Sequence, residues 1–397
     1  MEINPSTFGW IEKFNNQYSE SITDYETDFA FYQACQRSGL IYGYVVSYHL
    51  DSKINDAQWD EEEKTKVAFF TTLYSMFRLR NKNSDCNLFV EEVLAFYNSI
   101  SKAKFSFINK LLPESTSAQK LEALINERIQ TNINIVSKNF THLVTNAMLF
   151  VDVLAFDFYL RNGIIDLKFF KNVEQKCMSL ITLALHIKSN RTEYDELLLK
   201  LFENSLRYSK LSNEVDDQFL LHLAQEDLDE LQKLYLLDIT EMALWSDGVK
   251  TDFEIEFTTE IISILKLNKS IQNTGLEIDK FIEKYRINIP YFNSKHPVKH
   301  LYTNAQDTIS KLIFRNKKRL VKELSESKEL VKLLSKSTTS ELSTEEKKKV
   351  KKQLLDICKS VPSLTIFLLP GGGLLLPLLI KFIPQLLPSA FNENLED

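Results

Sequence analysis

Three sets of residues in this 397-residue chain have types and spacings that chemistry can use. Asp247 and Glu254 bracket the run SDGVKTDFE, which invites comparison with a calcium loop. With Gly248 at the sixth position, positions one, three and five fall on Ala243, Trp245 and Asp247 and the twelfth on Glu254. Only the last two residues carry ligating oxygens, so the calcium loop fails. His296 and His300 are four apart, a spacing that aligns two imidazoles on a helix. Pro297 lies between them and places His296 outside the helix, and no Cys or acid stands at ligand spacing, so they read as a surface pair. The glycine cluster Gly371, Gly372 and Gly373 is followed by leucines, without the Lys and Ser or Thr that a phosphate loop requires. No G-x-G-x-x-G, G-x-S-x-G, C-x-x-C or H-E-x-x-H occurs. The expectation is a non-enzymatic protein with no cofactor and no metal site.

Charge and hydropathy point elsewhere. Net charge is -6, yet residues 315–352 carry thirteen Lys/Arg against six Glu, a local +7. The block ends in Lys347, Lys348, Lys349, Lys351 and Lys352, and nine residues later begins Val361–Ile380, twenty residues without a charge. At 1.5 Å per residue, a helix of about twenty residues spans the roughly 30 Å hydrocarbon core of a bilayer. Pro370, Pro377 and Pro384 recur every seven residues, about two helical turns, so the segment is expected to be kinked, with freed carbonyls near one face. Pro388 follows beyond it, and Lys381 sits at its end as a snorkelling interfacial anchor. The five lysines before the run are expected to contact anionic lipid headgroups. By the positive-inside rule the body is expected to face the cytoplasm. The N-terminus has no apolar signal core, and Cys35, Cys86, Cys177 and Cys358 fall in no disulfide framework, which fits a reducing compartment. The basic block has no interleaved aromatics beyond Phe314 at its edge, so DNA is not an expected partner.

The elements that must position these residues read as helices. Only four prolines and six glycines interrupt the first 360 residues. Apolar residues recur with helical period over 62–80, 86–104, 117–138, 140–161, 166–187, 193–209 and 218–246, and sustained period-two alternation is missing. In 62–80 they define an amphipathic face through Val67, Phe70, Leu73, Tyr74 and Phe77. The run 140–160 is apolar enough to raise a membrane span, but Asp152 and Asp157, with His142 and Asn146, make it a buried bundle helix. Thr251 with Glu254, and Ser343 with Glu346, stand at capping-box spacing and mark helix starts. The run IPYFNSKHP, two prolines in a polar setting, marks a boundary. The organisation is therefore all-α: a body over 1–289, a basic helical connector over 297–358, and an apolar segment with a short tail over 359–397.

Two resemblances accompany this reading. ALWSDGVKTDFEIEF, residues 243–257, resembles the acidic turn of TerB-like helical domains and implies a small helical bundle over 216–286. More extensively, LLPGGGLLLPLLIKFIPQLLPSAF resembles the membrane signature of the LETM family, through Leu376-Pro377, Lys381-Phe382, Pro384, Leu387-Pro388-Ser389 and Phe391. With the upstream stretch from Glu329 it covers about sixty residues, and the NPSTFGWI start looks like bacterial LETM-related proteins named as biofilm-associated. The LETM resemblance implies an inner-membrane protein concerned with cation/proton exchange and with ribosome association; the family's EF-hand has no counterpart here.

Together these features describe a LETM-related scaffold that anchors a helical body to the inner membrane, with a role in ion homeostasis or in ribosome and membrane-protein biogenesis. Its expected partners are membrane lipids, the ribosome and further copies of itself. Two alternatives are a subunit of a cation/proton antiporter and a soluble helical interaction protein whose tail packs into its own core.

Overall fold

The computed structural model describes residues 3–82, 85–100, 115–133, 147–188, 191, 199, 217–244, 251–267, 275–285, 320–322, 324, 327–339 and 342–360. The described residues are helical, apart from connecting turns and one isolated bridge between Ile22 and Leu50. In chain order the helices are α1 (Trp10–Tyr18), α2 (Asp28–Ser38), α3 (Glu61–Asn81), α4 (Cys86–Ile100), α5 (Ser117–Ile133), α6 (Phe150–Asn162) and α7 (Leu167–Ile187). Then follow α8 (Asp217–Gln225), α9 (Glu230–Leu244), α10 (Asp252–Ile264), α11 (Gly275–Tyr285), α12 (Lys328–Thr339) and α13 (Thr344–Ser360).

Two helices act as hubs. α3 packs against α2, α4, α5 and α6, while α9 packs most extensively on α7 and also meets α2, α10 and α11. α6 and α7, themselves in contact, join the two halves into one apolar core. The sequence reading of α3 is corrected here. Its thirteen residues from Thr65 to Phe77 are all buried, so it is a central helix and not one with a single apolar face. Its hydroxyls are accommodated by hydrogen bonding: Thr72 Oγ1 donates to the Ala68 carbonyl at 2.7 Å and Ser75 Oγ to that of Thr23 at 3.0 Å. Asp60 and Glu63 cap its start reciprocally.

The single helical period over 218–246 is also corrected, because it divides into α8 and α9. Asp229 interrupts it: its carboxylate accepts from the Gln232 amide at 2.9 Å, a competing cap that starts a new helix. The Thr251–Glu254 box forms as read and opens α10. Asp152 and Asp157 lie inside the bundle on α6, as their presence in an apolar run implied. Among the described residues no helix is long and apolar enough to cross a membrane.

Arg128 on α5 grips Asp152 with two hydrogen bonds of 2.7 Å, and the Tyr97 hydroxyl of α4 donates to the same carboxylate at 2.6 Å. Arg128 is 4% exposed and Asp152 0%, so removing one partner strands a charge in the core. Arg128→Met is expected to cost about 3–5 kcal/mol in urea unfolding, and the double change Arg128→Met with Asp152→Leu to cost clearly less.

Candidate functional site

Residues the sequence marked for chemistry are distributed unevenly. Asp247, His296, His300, Pro370, Gly371, Gly372, Gly373, Pro377, Lys381, Pro384 and Pro388 lie outside the described residues, as do the IPYFNSKHP boundary and the apolar run itself. Glu254 is buried and occupied in its cap, with Oε2 accepting from the Thr251 amide at 2.7 Å. Among the described residues no group of three or more His, Cys, Asp and Glu is arranged to hold a metal.

The lysine block is well defined. α12 and α13 form an antiparallel hairpin whose inner face is built by Leu330, Val331, Leu333 and Leu334 on one helix and Val350, Leu354 and Ile357 on the other. The spacing of four and three along α13 places those three on one stripe. The Ser343 box starts α13 as the sequence indicated: the Ser343 amide donates to Glu346 Oε2 at 2.8 Å, and the Glu346 amide to Ser343 Oγ at 3.3 Å. Polar contacts then fix the register, with Lys336 Nζ 2.7 Å from Glu346 and Lys349 Nζ 2.9 Å from Glu329. Gln353 Nε2 also donates to Glu329 at 3.1 Å.

This register sorts the five lysines. Lys349 serves the hairpin through Glu329. Lys347 and Lys351 are half-buried, whereas Lys348 and Lys352, one turn apart on one ridge, are exposed. Lys351 stands beside Lys171 and Glu174 of α7; burial pushes its ammonium pKa down, Glu174 opposes this and Lys171 adds to it. The basic surface therefore draws on two elements distant in sequence, which no reading of the 347–352 run alone could reveal.

A second constellation had no sequence signal, because its members lie on separate elements. His49 is buried between Tyr25, whose hydroxyl is 2.9 Å from Nδ1, and Cys35, whose sulfur is 3.6 Å from Nε2. A Cys beside an orienting His is the arrangement of a thiol nucleophile. Here burial reverses the required electrostatics: it pushes the Cys35 thiol up and, with Arg37 nearby, holds the imidazole down at about 3. Cys35 is 0% exposed, so this is a sealed neutral network and not an activated pair.

Two pH dependences follow. The Lys336 ammonium and the Ser343 cap depress the Glu346 carboxyl from 4.5 to about 2. A depressed carboxyl contributes stability above its unfolded pKa and loses it as pH falls. NMR titration should place the Glu346 midpoint near 2, with Lys336→Ala raising it. For His49 the unfolded chain protonates near 6.5 and the folded one near 3, so stability falls as pH drops through that window. Unfolding measured between the two values should show a slope of up to about 1.4 kcal/mol per pH unit, flattened by His49→Asn.

Comparison with known proteins bears on the hairpin. Residues 342–397 match the family model described as LETM1-like, RBD. The match opens at Leu342, immediately before the Ser343 cap, and so takes in all of α13, its lysines and the apolar run beyond. It reaches neither the TerB-like stretch nor the NPSTFGWI start. No curated protein matches the chain, and no solved structure does. Over residues 342–397 the chain is therefore similar to the LETM1-like family.

Proposed function

We propose that this is a non-enzymatic adaptor that holds its helical body against a bacterial inner membrane, facing the cytoplasm, in the service of ion homeostasis or membrane-protein biogenesis. One observation carries the reading: the LETM match begins just before α13 and runs on through the uncharged twenty residues, so the lysine ridge and the apolar run fall within one family-model match. Lys348 and Lys352 then sit where anionic headgroups meet the start of an inserted segment. The Pro- and Gly-interrupted run needs partners for its freed carbonyls within lipid, which another copy of the chain would supply. The sealed Cys35–His49 network favours the non-enzymatic reading.

A second reading, ribosome docking through the same ridge, is favoured by the RBD description of the matched family. Exposed lysines in a row suit phosphate backbones as well as lipid phosphates.

Alkaline carbonate extraction of membranes tests the first reading, comparing the full chain with one ending at Lys359. The full chain is expected in the pellet and the shortened one in the supernatant; both in the supernatant overturns the tether. Co-sedimentation with ribosomes across a salt series tests the second. Lys348→Gln with Lys352→Gln should lower the slope of log affinity against log salt by about 1.5, and an unchanged slope removes the ridge from the contact.

A further inference from the structure

The turn between α6 and α7 exposes apolar side chains for which the core has no use. Gly163 closes α6 in the left-handed region, with φ 74° and its amide donating to the Tyr159 carbonyl at 2.7 Å. Asp166 caps α7 through the Lys168 amide. With both ends of the turn fixed, Ile165 points inward at 4% exposure. Ile164 is 76% exposed and Leu167 48%, projecting from a rigid tip. Such a pair gains nothing from water and is not required for closing the turn, since the two caps do that.

Charge surrounds this tip asymmetrically. Lys168 and Lys171 follow it on α7, both exposed. Lys171 also interacts electrostatically with Lys351 of α13. The acids nearby are largely engaged or opposed: Asp166 in its cap, Asp157 and Asp229 on Arg161, and Glu174 between two lysines.

We infer that the α6–α7 tip is a lipid-surface contact: Ile164 and Leu167 enter the headgroup layer of an anionic membrane while Lys168 and Lys171 meet its phosphates. Two aliphatics flanked by long cationic side chains are suited to the boundary between headgroup and acyl chain. This inference rests on the membrane reading above and adds to it a second point of contact, which fixes how the body is oriented on the bilayer.

The test places an environment-sensitive nitrobenzoxadiazole label at Ile164→Cys, in the full chain carrying Cys358→Ser. Cys35, Cys86 and Cys177 are buried and do not compete for the label. The same label at Phe253→Cys, another exposed apolar position, is the control. On vesicles of phosphatidylglycerol and phosphatidylcholine carrying nitroxide-labelled headgroups, emission from position 164 should shift to the blue and be quenched several-fold more than from position 253. Leu167→Asp should abolish that difference while leaving carbonate extraction unchanged. Vesicle-bound protein with equal quenching at both sites overturns the tip contact and leaves the tether standing. A chain that binds no vesicles overturns both. A blue shift produced by unlabelled copies of the chain without vesicles overturns the lipid contact in favour of self-association.

Discussion

Three buried aspartates set the geometry on which everything else in this fold depends. A carboxylate without water survives as a charge only if donors surround it, so each one fixes the helices that supply its donors. Asp152 on α6 draws Arg128 from α5 and Tyr97 from α4. Asp157, one turn further along, takes Arg80 of α3 at 2.5 Å, and Arg80 in turn reaches Asp28 of α2 at 2.6 Å. Asp238 on α9 accepts from Tyr32 and Gln36, both on α2, at 2.6 and 2.8 Å. Hydrophobic burial would tolerate many arrangements of these helices; the directional bonds select one.

The seams also explain why the two hubs behave as one body. α2 is bonded to α3 through Arg80 and to α9 through Asp238, so it bridges the halves by polar contacts as α6 and α7 do by packing. Smaller devices reinforce the frame. The Glu122 carboxylate of α5 reaches the start of α1 and accepts from the Gly9 and Ile11 amides at 2.8 and 2.7 Å, satisfying two donors that no residue within α1 serves. Against such a frame the α12–α13 hairpin differs in kind. Its contacts between charges are exposed and subject to screening, its register is set by one capping box and two ion pairs, and its apolar stripe faces inward. A rigid body carrying a more lightly fastened basic hairpin suits a protein that presents a scaffold to a surface.

Much of this was legible in the sequence for local reasons. The scarcity of breakers and the helical period gave an all-α chain, and both capping boxes, at Thr251 and at Ser343, formed where the hydroxyl–carboxylate spacing placed them. The LETM likeness rested on spaced prolines and the LPS-x-F end, and the family match covers those same residues. Periodicity misled where burial is complete. In α3 the polar positions are Thr and Ser that bond to backbone carbonyls, so a helix surrounded on all sides shows the same apolar stripe as a surface helix. Over 218–246 the period ran through the break, because a side-chain cap at Asp229 competes with the helix without disturbing the apolar spacing.

The sequence by itself determined which segments are helical, where several begin, that the charge is concentrated before an uncharged run, and which family model the last residues resemble, since all of these depend on neighbours within a few residues. Tertiary structure alone decided which lysines are available. Lys349 and Lys352 are indistinguishable in the run and both are exposed, yet Glu329 pairs with Lys349. It also brought Lys171 to Lys351, closed His49 between Tyr25 and Cys35, and left Ile164 in solvent while turning Ile165 inward. Each of these outcomes depends on pairings between helices far apart in the chain, and those pairings are fixed by where buried charges find their partners.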